Sequence, residues 1–295
     1  MASETFRVAC AQMRSGRTVA DNIAAAEALI REAAAGGARY VLTPEMTNLL
    51  ERDRAAVLAK VASEADDTTL TRLSAVAAEL GIVVHIGSLA IHTPDGLANR
   101  AFVIGPDGAV IAKYDKIHMF DVDLANGESW RESNTYQPGE QATVVDLPGG
   151  GDAGADLRLG LAICYDLRFP QLFRALAKAG SGLLAVPAAF TRQTGEAHWH
   201  ILLRARAIEC GAYVVAAAQG GTHEDGRETY GHSLIVDPWG VVVAEAGTEP
   251  GVIFADIDPA KVAEARQRIP ALKNDRLFAV PDAPPVAATG RRAAS

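Results

Sequence analysis

The chain of 295 residues is 49% hydrophobic and 22% charged, with 36 acidic against 28 basic side chains and a net charge of −8. That is an ordinary globular composition, long enough for one large domain or two small ones, and it lacks the basic stripe of a nucleic-acid or anionic-membrane binder. Three widely spaced cysteines, Cys10, Cys164 and Cys210, with no CxxC pair, argue against a disulfide framework or a structural zinc cluster. No run reaches membrane-span length, and residues 1–13 lack the basic and apolar regions of a signal peptide, so a reducing cytoplasm is expected.

Residues 6–13 (FRVACAQM) read as a first strand. Residues 18–35 read as an amphipathic helix with Val19, Ile23, Ala26 and Ile30 on one face, ended by Gly36-Gly37. Residues 39–43 are a second strand, running straight into Pro44-Glu45-Met46. Two strands around one helix predict a βαβ unit and a layered α/β protein. Glu45 lies just past an apolar strand, where α/β proteins place their chemistry. A solvated loop glutamate has the same signature.

Residues 51–67 are charged and Ala-rich, a short helix and loop. Residues 69–80 predict a helix with Leu70, Leu73, Ala77 and Leu80 inward, and residues 82–89 (IVVHIGSL) a strand. Residues 100–105 and 109–114 form a hairpin around Gly105-Pro106-Asp107-Gly108, which brings antiparallel pairing into the sheet. Its second strand leads to Lys116, another residue at a strand exit. His118 with Asp121 and Asp123 matches no metal-ligand spacing. Residues 124–139 are polar and turn-rich, contain Trp130 and Glu132, and read as a long loop beside a site. Residues 142–147 are a strand, and the glycine-rich turn at 149–154 lacks phosphate-loop spacing.

Residues 157–176 (LRLGLAICYDLRFPQLFRAL) join a buried strand to a helix opening at Pro170, with Cys164 between them. Unpaired N–H groups at such a join favour thiolate over thiol and can receive an oxyanion. A buried structural cysteine has the same look. Residues 182–187 give another buried strand, and residues 195–210 a helix with Ile201, Ala205 and Ile208 on one face. His198 and His200 sit on that helix at i and i+2, on opposite sides, and make no metal pair. A strand at 213–219, a polar loop at 220–228, a hairpin at 231–236 and 241–245, a closing strand at 251–257 and a helix at 259–268 follow. Residues 281–295 are Ala/Pro-rich and expected to be mobile.

Three strand exits thus present Glu45, Lys116 and Cys164. A carboxylate can take a thiol's proton, and the sulfur can then attack an amide carbon. An ammonium and the Tyr165 N–H can stabilise the oxyanion. Seven histidines leave a Cys–His pairing open.

At Pro44-Glu45-Met46, at the run from Lys113 to Asp121, and at Cys164-Tyr165-Asp166-Leu167-Arg168-Phe169-Pro170, the sequence resembles the nitrilase, or carbon–nitrogen hydrolase, superfamily. The resemblance runs from about residue 7 to 276. It implies an α/β fold, a four-layer α-β-β-α sandwich with mixed sheets, in a single domain over residues 1–280. It further implies a Glu45–Lys116–Cys164 triad with Glu132 beside it, no cofactor or metal, and a homodimer. Phe190-Thr191, Ala197-His198-Trp199, residues 203–209 and Tyr230-Gly231-His232-Ser233 resemble the branch of deaminated-glutathione amidases and ω-amidases. A small-molecule amide of a 2-oxo acid is the substrate this implies, with Arg168, Phe190, Thr191 and His198 as candidate binding residues. Arg192 and the loop at 220–228 are weaker candidates. N-carbamoyl amino acid hydrolysis, nitrile hydrolysis, a redox role for Cys164 and a silent scaffold are the alternatives.

Overall fold

A computed structural model describes residues 6–124, 127, 129–149 and 157–276. The Ala/Pro-rich stretch at 281–295 and most of the glycine-rich turn at 149–154 lie outside the described residues. Two mixed sheets dominate. The first is seven-stranded and runs in space Gly251–Ile257, Phe6–Gln12, Tyr40–Leu42, Val83–Thr93, Gly96–Ile104, Val110–Asp115, with Tyr136–Gln137 also paired to Gly96–Ile104. The second is six-stranded, in the order Val242–Glu245, Leu234–Val236, Tyr213–Ala216, Leu183–Ala185, Arg158–Leu161, Val144–Asp146. Each has a parallel centre and antiparallel margins.

The strand Phe6–Gln12 shows why these segments read as continuous apolar runs. Successive side chains point to opposite faces of a strand. Phe6, Val8 and Cys10 enter one core, together with Leu159, Leu161, Leu183 and Tyr213 of the other sheet. Ala9 and Ala11 enter another, with Ala26 and Ile30 of helix α1 (Val19–Ala35). A sheet covered on both faces needs apolar residues at every position. Helix α2 (Arg54–Lys60) stands near the mouth of a cavity, and α3 (Thr68–Leu80) packs beside α1 on the first sheet. Helices α4 (Pro170–Lys178) and α5 (Arg192–Cys210) bury Phe173, Trp199 and Leu203 in the core shared with the second sheet, and α6 (Pro259–Arg268) follows the closing strand. This is the predicted α-β-β-α layering. No helix among the described residues is long and apolar enough to cross a membrane.

Two local expectations change. Helix α5 starts at Arg192, capped by the Thr191 hydroxyl, and buries Trp199, Leu203, Ala207 and Cys210, which leaves Ile201 and Ile208 exposed. The polar loop at 220–228 is a small hairpin, Gly220–Thr222 with Glu228–Tyr230. Helix α4 opens at Pro170 as expected, and a 3-10 turn, Cys164–Arg168, fills the join between the strand and the helix.

One glycine lets the two sheets meet closely at the site. A Cβ at Gly87 would overlap the carbonyl oxygens of Thr43 and Pro44 and the ring of Pro187. Those residues lead into Glu45 and Ala189. Gly87→Ala should therefore destabilise the fold by about 1–3 kcal/mol or more, the cost of overpacking a rigid core. A fall in urea midpoint at unchanged m-value is the expected readout, and an unchanged midpoint would mean the two sheets yield easily.

Candidate active site

The strand Tyr40–Leu42 ends in a turn that carries Glu45. Its main chain is fixed on several sides: the Pro44 carbonyl accepts from the Thr47 hydroxyl at 2.7 Å and the Met46 N–H donates to Ser88 Oγ at 2.9 Å. Met46 takes a left-handed φ of 55°. The Gln219 amide reaches across from the second sheet and donates to the Glu45 carbonyl at 3.0 Å. The carboxylate itself accepts from the Ala189 N–H at 2.9 Å through Oε2.

Lys116 leaves the strand Val110–Asp115 and is buried, its side chain 2% exposed. Its ammonium donates to Glu45 Oε1 at 2.8 Å and to Glu132 Oε1 and Oε2 at 3.0 and 2.8 Å. Glu132 comes from a short 3-10 turn, and the Phe120 N–H donates to its Oε2 at 2.7 Å. Burial disfavours the ammonium, but the adjacent Glu132 and Glu45 charges outweigh it and hold Lys116 well above its ordinary pKa. Burial likewise pushes Glu45 up. The Lys116 charge and hydrogen bonds from Cys164, Lys116 and Asn99 reverse this and leave Glu45 below its usual value.

Asn99 had no place in the sequence reading. It is fully buried in the strand Gly96–Ile104 and donates its amide hydrogens to Glu45 Oε1 at 2.9 Å and Glu132 Oε1 at 3.0 Å. A single buried Asn in a strand carries no local signal. Only the pairing of this strand beside the Lys116 exit gives it two carboxylates to hold.

Cys164 sits at the tight turn after Arg158–Leu161, with a left-handed φ of 49° that a non-glycine residue rarely adopts. Its N–H donates to the Pro187 carbonyl at 2.9 Å. The turn is locked by Asp166, whose buried carboxylate accepts from the Ile163 N–H at 2.8 Å, the Tyr114 hydroxyl at 2.7 Å and the His118 N–H at 3.1 Å. The His118 ring lies 2.7 Å from the same carboxylate and stacks on Phe169. This ties the Cys164 turn to the chain around Lys116, and it turns His118 away from any role with Asp121 and Asp123. The folded surroundings oppose the thiolate that the local turn geometry favours. Burial first, then the Glu45 charge, hold the thiol well above its ordinary pKa, because the Glu45 carboxylate is its hydrogen-bond partner. The thiol is therefore paired with a base rather than pre-ionised by a helix.

Glu45, Lys116, Glu132 and Cys164 share the wall of a cavity of about 380 Å³. Tyr165, Arg168, Phe190 and Thr191 also line it. His198 does not: it is exposed on α5, and its Nδ1 lies 3.2 Å from an Arg168 guanidinium nitrogen. Arg192 is likewise outside, paired with Glu196 and Glu228, whereas Arg227 and Thr229 of the 220–230 hairpin face in. Outside the cavity, His200, His232 and Glu245 bring one ligand atom each within 4.8 Å of one another. Glu245 Oε1 lies 2.9 Å from a nitrogen of each imidazole, a polar cluster beside α5.

Residues 7–267 match the carbon–nitrogen hydrolase family. The chain belongs to that family. This carbon–nitrogen hydrolase is 40% identical over 274 residues to the deaminated glutathione amidase of Yersinia enterocolitica, covering 91% of this chain and 92% of that one. It is 38% identical over 278 residues to the omega-amidase NIT2 of Homo sapiens, covering 94% and 98%. Among solved structures it is similar to the nitrilase-superfamily amidase of Nesterenkonia sp. AN1, at 28% identity and a TM-score of 0.74, covering 91% of this chain and 98% of that one; a mutant of that amidase shows the acetamide moiety of fluoroacetamide added covalently at the active site cysteine. The fold and enzyme class of this chain are therefore those of a nitrilase-superfamily hydrolase.

Asn99 is the residue whose substitution reads the electrostatics most directly. Asn99→Asp would set a third carboxylate against Glu45 and Glu132. A like charge disfavours the ionised form, so the Glu45 pKa should rise. The acidic limb of the kcat/KM profile, where a base is lost on protonation, should then move to higher pH by a unit or more. A variant whose activity falls equally at every pH would show Asn99 to be structural only.

Proposed function

We propose that this chain is an amidase that hydrolyses amides of 2-oxo acids through a thioester on Cys164, with deaminated glutathione as its first candidate substrate. The observation that carries the reading is the hydrogen-bonded set Cys164–Glu45–Lys116–Glu132 on one cavity wall. The names of the Yersinia and human relatives support the acyl class. Glu45 takes the thiol proton as sulfur attacks the amide carbon. The oxyanion forms against the Lys116 ammonium and the Tyr165 N–H. Glu45 returns the proton to the nitrogen, the C–N bond breaks, and the amine leaves. Water then enters, Glu45 takes its proton as its oxygen attacks the thioester carbon, the C–S bond breaks, the proton passes from Glu45 to Cys164 Sγ, and the acid leaves. Glu132 and Asn99 touch neither reacting atom and act as positioning residues, holding Lys116 and Glu45. Arg168 binds a substrate carboxylate: its guanidinium carbon lies 5.8 Å from the Tyr165 ring and 5.4 Å from Phe190, half-buried and without a carboxylate partner among the described residues. An ω-amidase on 2-oxoglutaramate is the second reading, favoured by the 38% identity to human NIT2 and needing only that one arginine. Hydrolysis of deaminated glutathione would place the protein in metabolite repair.

We also propose that the catalytic domain runs as one unit over residues 1–280 and pairs as a homodimer. Ile201 and Ile208 of α5 are 69% and 53% exposed, and Trp239, Val241 and Val243 are exposed on the adjoining hairpin, where Gly240 meets Ile208. An apolar patch of this kind on a protein surface favours association.

Intact mass after brief mixing with deaminated glutathione should show the acyl fragment on the wild-type protein and none on Cys164→Ala, which should also lose turnover. Retained hydrolysis by Cys164→Ala would sink the mechanism. Sedimentation should give twice the chain mass for the wild type and a shift towards monomer for Ile201→Glu; a wild-type monomer would refute the dimer.

A further inference from the structure

The cavity has a second cationic end that the reaction above does not use. Arg52 lines it, exposed, with its guanidinium carbon 4.6 Å from the centre of the Trp130 ring. Arg227 lines it too, 5.2 Å from the same ring. Arg227 is neutralised by Asp225, with contacts of 2.9 and 2.8 Å. The Arg52 guanidinium has no ion pair or hydrogen bond among the described residues. The acidic groups around it are engaged elsewhere. Glu51 pairs with Arg17 at 2.6 Å and Lys60 at 3.3 Å, and Asp53 caps α2. Glu228 faces Arg192. Two arginines against one aspartate leave a surplus positive charge on an aromatic platform.

This end is distinct from Arg168. Arg168 packs on Tyr165, Tyr165 meets Phe120 edge-on at 5.2 Å, and Phe120 lies 6.2 Å from Trp130. Three aromatic rings, Tyr165, Phe120 and Trp130, thus lie between the two guanidinium groups, and Cys164 opens onto the same cavity. The poles also differ in exposure. Arg168 is half-buried against Phe190, which is itself 6% exposed, whereas Arg52 stands in the open on the loop before α2. A covalent acyl group must stay shielded until water is admitted, and the amine must depart. The half-buried Arg168 end, packed on Tyr165 and Phe190, therefore suits the acyl fragment, and Arg52, in the open, suits the leaving group.

We infer that Arg52, with Trp130 and Arg227, forms a second carboxylate subsite that reads the leaving amine, so that the protein selects N-substituted amides whose amine portion ends in a carboxylate over primary amides. This rests on the amidase reading above and narrows it. A substrate with a single acid group engages only the Arg168 end. One with a carboxylate on each side of the scissile bond engages both, and its extended amine lies on the Trp130 ring. On cleavage the acyl carbon stays on Cys164 Sγ, and the amine leaves with the proton returned by Glu45, carrying its carboxylate out past Arg52.

The test needs two compounds that differ in one group: deaminated glutathione, and its analogue with the terminal glycine carboxylate converted to a carboxamide. The wild-type enzyme should prefer the carboxylate by about 10- to 100-fold in kcat/KM, the size of one charge-assisted hydrogen bond. Arg52 is exposed, so Arg52→Met should fold, with circular dichroism as the check. Its preference ratio should fall to within about 3-fold of one, and Arg52→Lys should keep part of it. A wild-type ratio near one, or a ratio unmoved by Arg52→Met, would overturn the subsite while leaving the amidase reading in place. No turnover of either compound, with no acyl mass on Cys164, would overturn the amidase reading and the subsite with it.

Discussion

An ammonium buried between two carboxylates is the constraint on which the site depends. Lys116 cannot be desolvated alone, and neither can Glu45 or Glu132. Each is tolerated because the others are within hydrogen-bond distance and because Asn99 and the N–H groups of Phe120 and Ala189 fill remaining acceptor positions. Such a cluster is poor evidence for stability, since well-packed apolar side chains would fill the same space at lower cost. Its value is chemical. It keeps one carboxylate ionised in a dry place beside a thiol that is itself held protonated, so a proton can move from sulfur to oxygen when the substrate arrives.

The two sheets exist in the form they do so that chain segments far apart in sequence can bring these groups together. Glu45 and Lys116 leave the first sheet and Cys164 leaves the second. Their mutual placement rests on buried polar ties between the layers: Gln219 to the Glu45 carbonyl, Ala189 to the Glu45 carboxylate, and Asp166 to Tyr114 and His118. The left-handed φ at both Met46 and Cys164 marks where the backbone accepts strain to aim a side chain. The surrounding apolar core makes this strain affordable.

The electrostatics of the cavity run against those of the whole chain. The net charge is −8, yet arginines 52, 54, 131, 168 and 227 all line the site. Arg131 is spent on Asp123, Arg227 on Asp225, and Arg54 on the Asn134 carbonyl. A focused positive rim on an acidic protein favours small anions over polyanions, because a large acidic partner would be repelled by the rest of the surface.

The sequence by itself determined the layered α/β class, most of the strands and helices, and the residue types at three strand exits. It could do so because a strand buried on both faces leaves an unbroken apolar run, and because a strand ends where polar residues begin. Helix α6 and the closing strand were legible to the residue, whereas α5 was missed at its first turn, where Thr191 caps it, and in its buried face, which carries Trp199, Leu203 and Ala207 rather than Ile201 and Ile208. The motif around Lys116 and Cys164 carried the family. What the sequence left undecided needed distance. Asn99, Asp166 and Gln219 look like ordinary polar residues until the chain folds, for Asn99 meets Glu45 54 positions away, Asp166 meets His118 48 positions away and Gln219 meets Glu45 174 positions away. His198 looked like a binding residue and proved to stand behind Arg168. The protonation of Cys164 also belongs to the tertiary structure. Local helix geometry favours a thiolate, but burial and the neighbouring carboxylate oppose it, and both come from segments that meet only when the two sheets stack.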